Sequence, residues 1–262
     1  MLEHLWLIPL GFFTGFYGTL VGIGGGFILL PTLLLLYPQQ KAEFLTSISL
    51  AVVFINSLSG TIAYARMKRI SYRLGLLLAV GTVPGAIIGT NLTHFVPRSI
   101  FDPGFGVLLL LIASFLFFKT DSKEQNEEMT ERERLEKLTP KHYIFGITLS
   151  VTVGIISSLF GIGGGFVLVP VMIYIFHFSV HKATATSHFI LVIMALTGTI
   201  SHGINGTLLA GLPQIGTLAL GIIAGAQLGA HLSNRIHGQW IMRGLATALL
   251  VVGLRFVLAA FK

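Results

Sequence analysis

The chain contains no cysteine, and only 10 of its 262 residues are acidic. The first absence excludes disulfides, thiolate catalysis and cysteine-based metal sites. The second is uneven. Seven of the ten acids lie between Lys119 and Lys141, only Glu3, Glu43 and Asp102 lie elsewhere, and the stretch from His142 to Lys262 has none. A cation pathway, which needs hard anionic oxygens, is therefore disfavoured. Charge of both signs is scarce too, at 10% of residues against about a quarter in a soluble domain. With 53% hydrophobic residues and a mean hydropathy of +0.85, the chain is a membrane protein. The formal charge of +7 does not indicate nucleic acid, because no basic stripe on a soluble module accompanies it. The start, MLEHLWLIP, has no Lys or Arg before its apolar run and no clear small-residue cleavage site. It reads as the first membrane element rather than a removed signal.

Apolar runs are plentiful. They cover residues 4–37, 44–65, 73–92, 99–118, 142–176, 186–203, 212–232 and 243–261. Most approach the roughly 20 residues that cross hydrocarbon. The first and fifth are too long for one crossing, since a single helix would reach ~50 Å at 1.5 Å per residue against a core of about 30 Å. Each holds a glycine cluster near its middle, GIGGGFILLP at 22–31 and GIGGGFVLVP at 161–170. Each is expected to be two short helices meeting at GIGGG, as a hairpin or re-entrant element.

The two clusters begin a longer self-similarity. Gly15–Tyr37 matches Gly154–Phe176, Thr46-Ser47 is paired with Thr186-Ser187, Ser59–Ile62 with Thr197–Ile200, and Gly85-Ala86-x-x-Gly89 with Gly225-Ala226-x-x-Gly229. The expected organisation is a first transmembrane repeat (1–118), a charged cytoplasmic linker (119–141) with i,i+4 pairs such as Glu128–Arg132, and a second repeat (142–262). Folding back the long segments puts 66–73, the linker, 177–185 and 232–243 in the cytoplasm. These carry most of the basic residues, whereas the outer loops 38–43, 93–98 and 204–211 hold only Lys41 and Arg98. This obeys the positive-inside rule and makes the repeats inverted. One crossing per long segment would make them parallel and put Arg235 and Arg243 outside. The fold class expected is an all-α polytopic helical bundle of two homologous halves, inverted, with helices broken at GIGGG.

GIGGG is neither a dinucleotide fingerprint nor a P-loop: Phe27 and Phe166 replace the third glycine, and no Lys-Ser/Thr follows. Non-helical backbone at membrane depth survives only inside protein or beside a water-filled cavity. Gly24, Gly25, Gly26 and Gly163, Gly164, Gly165 would open half-helices whose free N–H groups suit an anion, a recurring transporter design. The bland alternative is close helix contact through small residues, the reading preferred for Gly81/Gly85/Gly89 and Gly221/Gly225/Gly229. Thr46, Ser47, Asn56, Thr186, Ser187, His188 and His202 are the polar groups expected to line a substrate path. Singly, such hydroxyls often only bond the i−4 carbonyl, Thr-Ser at a helix start is an ordinary N-cap signal, and a membrane histidine can be satisfied by neighbouring backbone.

The paired GIGGGF-x-L-x-P segments, the Thr-Ser that opens each following helix, and the SGTI/TGTI continuation with Tyr64 or His202 after it resemble the TauE/SafE sulfite exporter family. The resemblance covers nearly the whole chain; Tyr64 departs from the matching His202. It implies a multi-pass transporter of the bacterial inner membrane that exports a small sulfur oxyanion, sulfite or an organosulfonate. It implies no enzymatic activity and no cofactor or bound metal. The partners expected are a small anionic substrate and the lipid bilayer, with no nucleic acid and with homo-oligomerisation left open. Two other readings compete. One is a divalent-metal transporter using His177, His181, His188 and His202. The other is an intramembrane serine hydrolase pairing Ser59 with His188 or His202. A non-transporting assembly protein is a further class.

Overall fold

The computed structural model describes residues 5–118, 140–233 and 238–259. The charged linker with its expected Glu128–Arg132 pair lies almost wholly outside these residues, as does Arg235. The described chain is helical, with short loops and no strand: α1 Leu7–Val21, α2 Gly26–Leu36, α3 Ala42–Arg66, α4 Tyr72–Phe95, α5 Arg98–Phe118, α6 Pro140–Phe160, α7 Gly165–Tyr174, α8 Val180–Ile204, α9 Leu212–Leu232 and α10 Gly238–Ala259. Six helices among the described residues, α3, α4, α5, α6, α8 and α9, are long and apolar enough to cross a membrane. At 11 and 10 residues, α2 and α7 would each be only about 15 Å long and cannot cross.

Both long segments break at the glycines. Helix α1 stops at Gly22 (φ +88°), and the N–H groups of Gly22, Ile23 and Gly24 all turn back to the Gly18 carbonyl, a closure of the kind that ends helices on a left-handed residue. The chain then doubles back. Gly25 lies against Gly18 and against the Thr14 carbonyl one turn earlier, and Gly164 lies likewise against Ser157 and Val153. Bulkier residues at 18 or 25 would meet backbone, which is why glycine occupies both.

The halves interlock. Helix α1 packs along α9 and α6 along α4, so the first helix of each half lies on the other half; α5 packs on α10. The glycine stripes make this contact. On α4, Gly85 faces the backbone of Val151, Gly154 and Ile155; on α9, Gly225 faces Phe12 and Phe16. This is the close small-residue packing expected of those stripes.

At the centre α3 packs on α8. Gly60 meets His188 while Gly198 meets Leu50, so the two helices run antiparallel. The buried core gathers Leu29, Leu30, Leu33, Phe101, Phe105 and Phe166. Outward, Phe13, Leu76, Val80, Leu111, Leu220 and Val251 stand exposed, an apolar exterior that suits lipid.

The Thr-Ser pairs do not start their helices. α3 begins at Ala42 after an extended Lys41, and α8 at Val180 after an extended Ser179, neither with a side-chain cap. Thr46 and Thr186 lie one or more turns inside, so the N-cap reading is corrected.

Candidate functional site at the glycine crossing

The two broken segments meet. A Cβ on Gly26 would lie 2.5 Å from the Gly161 carbonyl oxygen, and one on Gly163 2.5 Å from that of Ile23; one on Gly165 would run into the Gly22 carbonyl. Residues 22–27 and 161–166 are all buried. At Gly24 (φ +92°) and Gly163 (φ +80°) the left-handed backbone would add strain of roughly 1–2 kcal/mol for any other residue. Gly164 differs from Gly25 in its right-handed conformation, so the loops are similar rather than identical. In the first turns of α2 and α7 the N–H groups of Ile28 and Leu29 bond the Gly25 carbonyl and those of Val167 and Leu168 the Gly164 carbonyl, so only the first two N–H groups of each helix, at Gly26 and Phe27 and at Gly165 and Phe166, lack an acceptor in the helix or its cap.

Side chains from α3 and α8 hold this crossing. Ser49 Oγ donates to the Gly161 carbonyl at 2.6 Å, and Ser187 Oγ to the Gly22 carbonyl at 2.8 Å. Thr46 packs on Gly161 and Thr184 on Gly22. Val53 and Leu191 both flank Gly24 and Gly163. Each of these pairs is separated by 138 residues, the spacing of the SGTI and TGTI motifs. The sequence pairing of Thr46-Ser47 with Thr186-Ser187 is therefore out by two positions. Ser47 Oγ instead donates to its own helix at Phe44, 2.7 Å away. Thr186 Oγ1 accepts the Ser71 N–H at 3.1 Å, pinning α8 to the α3–α4 turn. Ser49 was missed, though extending the 138-residue spacing back from TGTI would have found it.

Ser49→Ala and Ser187→Ala each remove the hydroxyl from a buried loop carbonyl. Each is expected to cost about 1–3 kcal/mol, read as a lower unfolding midpoint in detergent; an unchanged midpoint for both would contradict the latch.

Polar groups without partners stand beside the crossing, at Asn56, Ser57 and Ser157, and others lie further along the same helices. Asn56 Oδ1 accepts the Thr19 hydroxyl at 3.0 Å, whereas its Nδ2, beside Gly25, has no acceptor. Met194 takes the matching place beside Gly164. Tyr64, edge-on to His188, donates to the Thr19 carbonyl at 2.8 Å. His188 Nδ1 faces the Thr184 carbonyl at 3.3 Å and its Nε2 is unpartnered. His202 Nδ1 meets Thr207 Oγ1 at 3.1 Å and its Nε2 is likewise unpartnered. Ser57, Thr90, Ser157 and Ser158, none singled out in sequence, are fully buried with hydroxyls that meet no partner.

Neither competing chemistry finds its residues together. Ser59 Oγ is engaged by Gln227 at 2.9 Å and points to the Ile223 carbonyl at 3.4 Å, not to a histidine. Among the described residues no three His, Cys, Asp or Glu side chains stand close enough to share a metal ion.

Comparison with known proteins agrees with this architecture. The profile of the family described as sulfite exporter TauE/SafE matches residues 7–256. The probable membrane transporter protein YunE of Bacillus subtilis is 30% identical over 266 residues, covering 96% of both chains. The probable membrane transporter protein MJ0441 of Methanocaldococcus jannaschii is 28% identical, over 98% of this chain and 97% of that one. YjnA of Bacillus subtilis, also a probable membrane transporter protein, is 28% identical over 96% of this chain and 98% of its own. No solved structure matches the chain. A profile match from Leu7 to Phe256, with whole-length relatives and a membrane-spanning helical bundle beneath it, makes this chain a multi-pass membrane transporter, not an enzyme, of the sulfite exporter TauE/SafE family.

Proposed function

We propose that the chain is a secondary transporter exporting a small sulfur oxyanion, sulfite or an organosulfonate, across the bacterial inner membrane. The observation that carries this reading is the crossing of two glycine-opened half-helices, ringed by buried donors that lack acceptors. Helix N-termini and neutral hydroxyl and amide donors favour an anion. The acids described, Glu43 and Asp102, are engaged by His94 and Arg98 at 3.0 and 3.2 Å, away from the crossing. The antiparallel run of α3 against α8 supports the inverted relation between the halves, with the Arg66 end of α3 facing the cytoplasm.

The crossing is buried. Purified protein in liposomes is expected to carry sulfite in a saturable way, well above protein-free vesicles. Flux of nickel or zinc with none of sulfite or small sulfonates would overturn the anion reading.

A further inference from the structure

The break in each long segment orphans a carbonyl. In α1 the N–H of Ile23, which a continuing helix would give to Thr19, turns back to Gly18. The Thr19 carbonyl is left without an intrahelical donor, and the Tyr64 hydroxyl supplies one at 2.8 Å from the last turn of α3. The second half breaks in the same way, since the Ile162 N–H goes to Ser157 in place of Ser158. There the residue at the Tyr64 position, 138 places on, is His202. It does not make the matching bond. Its Nδ1 meets Thr207 Oγ1 at 3.1 Å, within its own turn, and its Nε2 is unpartnered. The Thr90 and Ser158 hydroxyls beside Gly198 stay unpartnered as well.

The same asymmetry recurs nearer the crossing. Gln227 of α9 donates to the Ser59 carbonyl and hydroxyl on α3, both at 2.9 Å. Ser59 corresponds to Thr197, whose hydroxyl bonds its own helix at Ile193, 2.8 Å away. Toward its Arg66 end, α3 is therefore tied to α1 and α9 by bonds between helices. On the opposite side, the end of α8 is tied to α4 by Asn205 Nδ2 and Asn91 Oδ1, an exposed bond 3.4 Å long. Tyr64 is fully buried and edge-on to His188, with the Ser233 side chain of α9 within hydrogen-bonding reach. Beyond it, Ile70 of the α3–α4 turn packs with Tyr64, Ala185 and Ala230. Four helices and a turn converge on one phenol.

We propose that Tyr64 is the latch on the Arg66 side of the crossing. Its bond to the Thr19 carbonyl holds α3 against α1 and α9, and opening toward that side requires the bond to break. The two sides of the crossing are then unequal barriers, and Tyr64 sets the difference. Without its hydroxyl, the closed state buries an unsatisfied carbonyl that water satisfies once that side opens. The equilibrium shifts toward opening there. This rests on the reading that the crossing lies in the transport pathway.

The test is thiol labelling of the full chain in proteoliposomes, with a membrane-impermeant reagent added to one side at a time. Thr19→Cys, which keeps the backbone carbonyl, reports the Arg66 side, and Ser158→Cys reports the other. Adding Tyr64→Phe should label the Thr19→Cys variant at least fivefold faster. It should label the Ser158→Cys variant at least threefold more slowly, because a transporter that opens on one side closes on the other. Gln227→Leu, on a different helix, should shift both rates in the same directions by a smaller factor, so the test stands even if Tyr64→Phe fails to fold. A merely structural Tyr64 would speed both labels together, or neither. Either result, with sulfite flux retained, overturns the latch and leaves transport intact. If neither cysteine reacts from either side in any background, the crossing is not in the pathway and the latch falls with that reading.

Discussion

Gly26→Leu and Gly165→Leu should each abolish sulfite flux, by at least a hundredfold, while the protein still inserts in the membrane. The reason is steric. A Cβ on Gly26 falls 2.5 Å from the Gly161 oxygen and 3.0 Å from the Ile162 carbonyl carbon, and one on Gly165 falls 2.6 Å from the Ile23 Cα. These neighbours are backbone and cannot swing aside. The opposing strands of the loop must separate, which costs about 1–3 kcal/mol or more for overpacking a dense interior. It also moves the first turns of α2 and α7 from their places. Gly216→Ala is the control, since a Cβ there meets nothing within 4 Å. It should keep wild-type flux and gain a few tenths to about 1 kcal/mol in helix stability. Flux within threefold of wild type in both leucine variants would show that the crossing is not in the pathway.

Arg98→Met should cause the second large loss, this time at the other end of the first half-helix. The Arg98 guanidinium donates to the carbonyls of Leu34, Tyr37, Pro38 and Gln40, at 2.5 to 2.9 Å, and to Asp102 at 3.2 Å. Those carbonyls include the last turn of α2 and the loop behind it, whose acceptors have no intrahelical donors. One planar fork of donors therefore anchors a helix too short to be held by the bilayer. Each bond from a charged group contributes about 1.5–3 kcal/mol when well buried, and less here because the side chain keeps a fifth of its exposure. An expected total loss is about 2–4 kcal/mol, read as a lower unfolding midpoint. Arg98→Lys should recover only a minor part, since a single ammonium cannot reach the same spread of acceptors. Full recovery by lysine would mean that charge alone, not the fork, does the anchoring.

Arg98 shows what could and could not be read in advance. Loop charge marked it as one of two outer basic residues, a statement about topology, while its partners lie some sixty positions earlier in the chain. Segment length was more informative. A run too long for one crossing, interrupted by consecutive glycines, can only break, and the break falls at Gly22–Gly25 and Gly161–Gly164. The self-similarity was legible but not its register. The glycine clusters repeat at 139 residues, SGTI/TGTI at 138 and the later Gly-Ala motifs at 140, and taking 140 for α3 and α8 shifted the pairing by two. Two residues turn a helix by about 200°, which exchanged Ser49, facing the crossing, for Ser47, facing its own backbone. Thr90 and Ser158 were invisible for a different reason. A lone hydroxyl in a membrane helix carries no periodic signal, and only three-dimensional packing shows which ones leave their i−4 carbonyl.

The pairing of Thr19 with Ser158 across the two halves offers the most direct test, because the chain has no native cysteine. Thr19 lies against Gly60 and Ser158 against Gly198. Single variants Thr19→Cys and Ser158→Cys would be labelled in proteoliposomes with a membrane-impermeant thiol reagent added to one side at a time. If the crossing divides an anion pathway, Thr19→Cys reacts from the side that bears Arg66, Ser158→Cys reacts from the opposite side, and sulfite slows both. Reaction of both cysteines from the same side, at rates indifferent to sulfite, would contradict it.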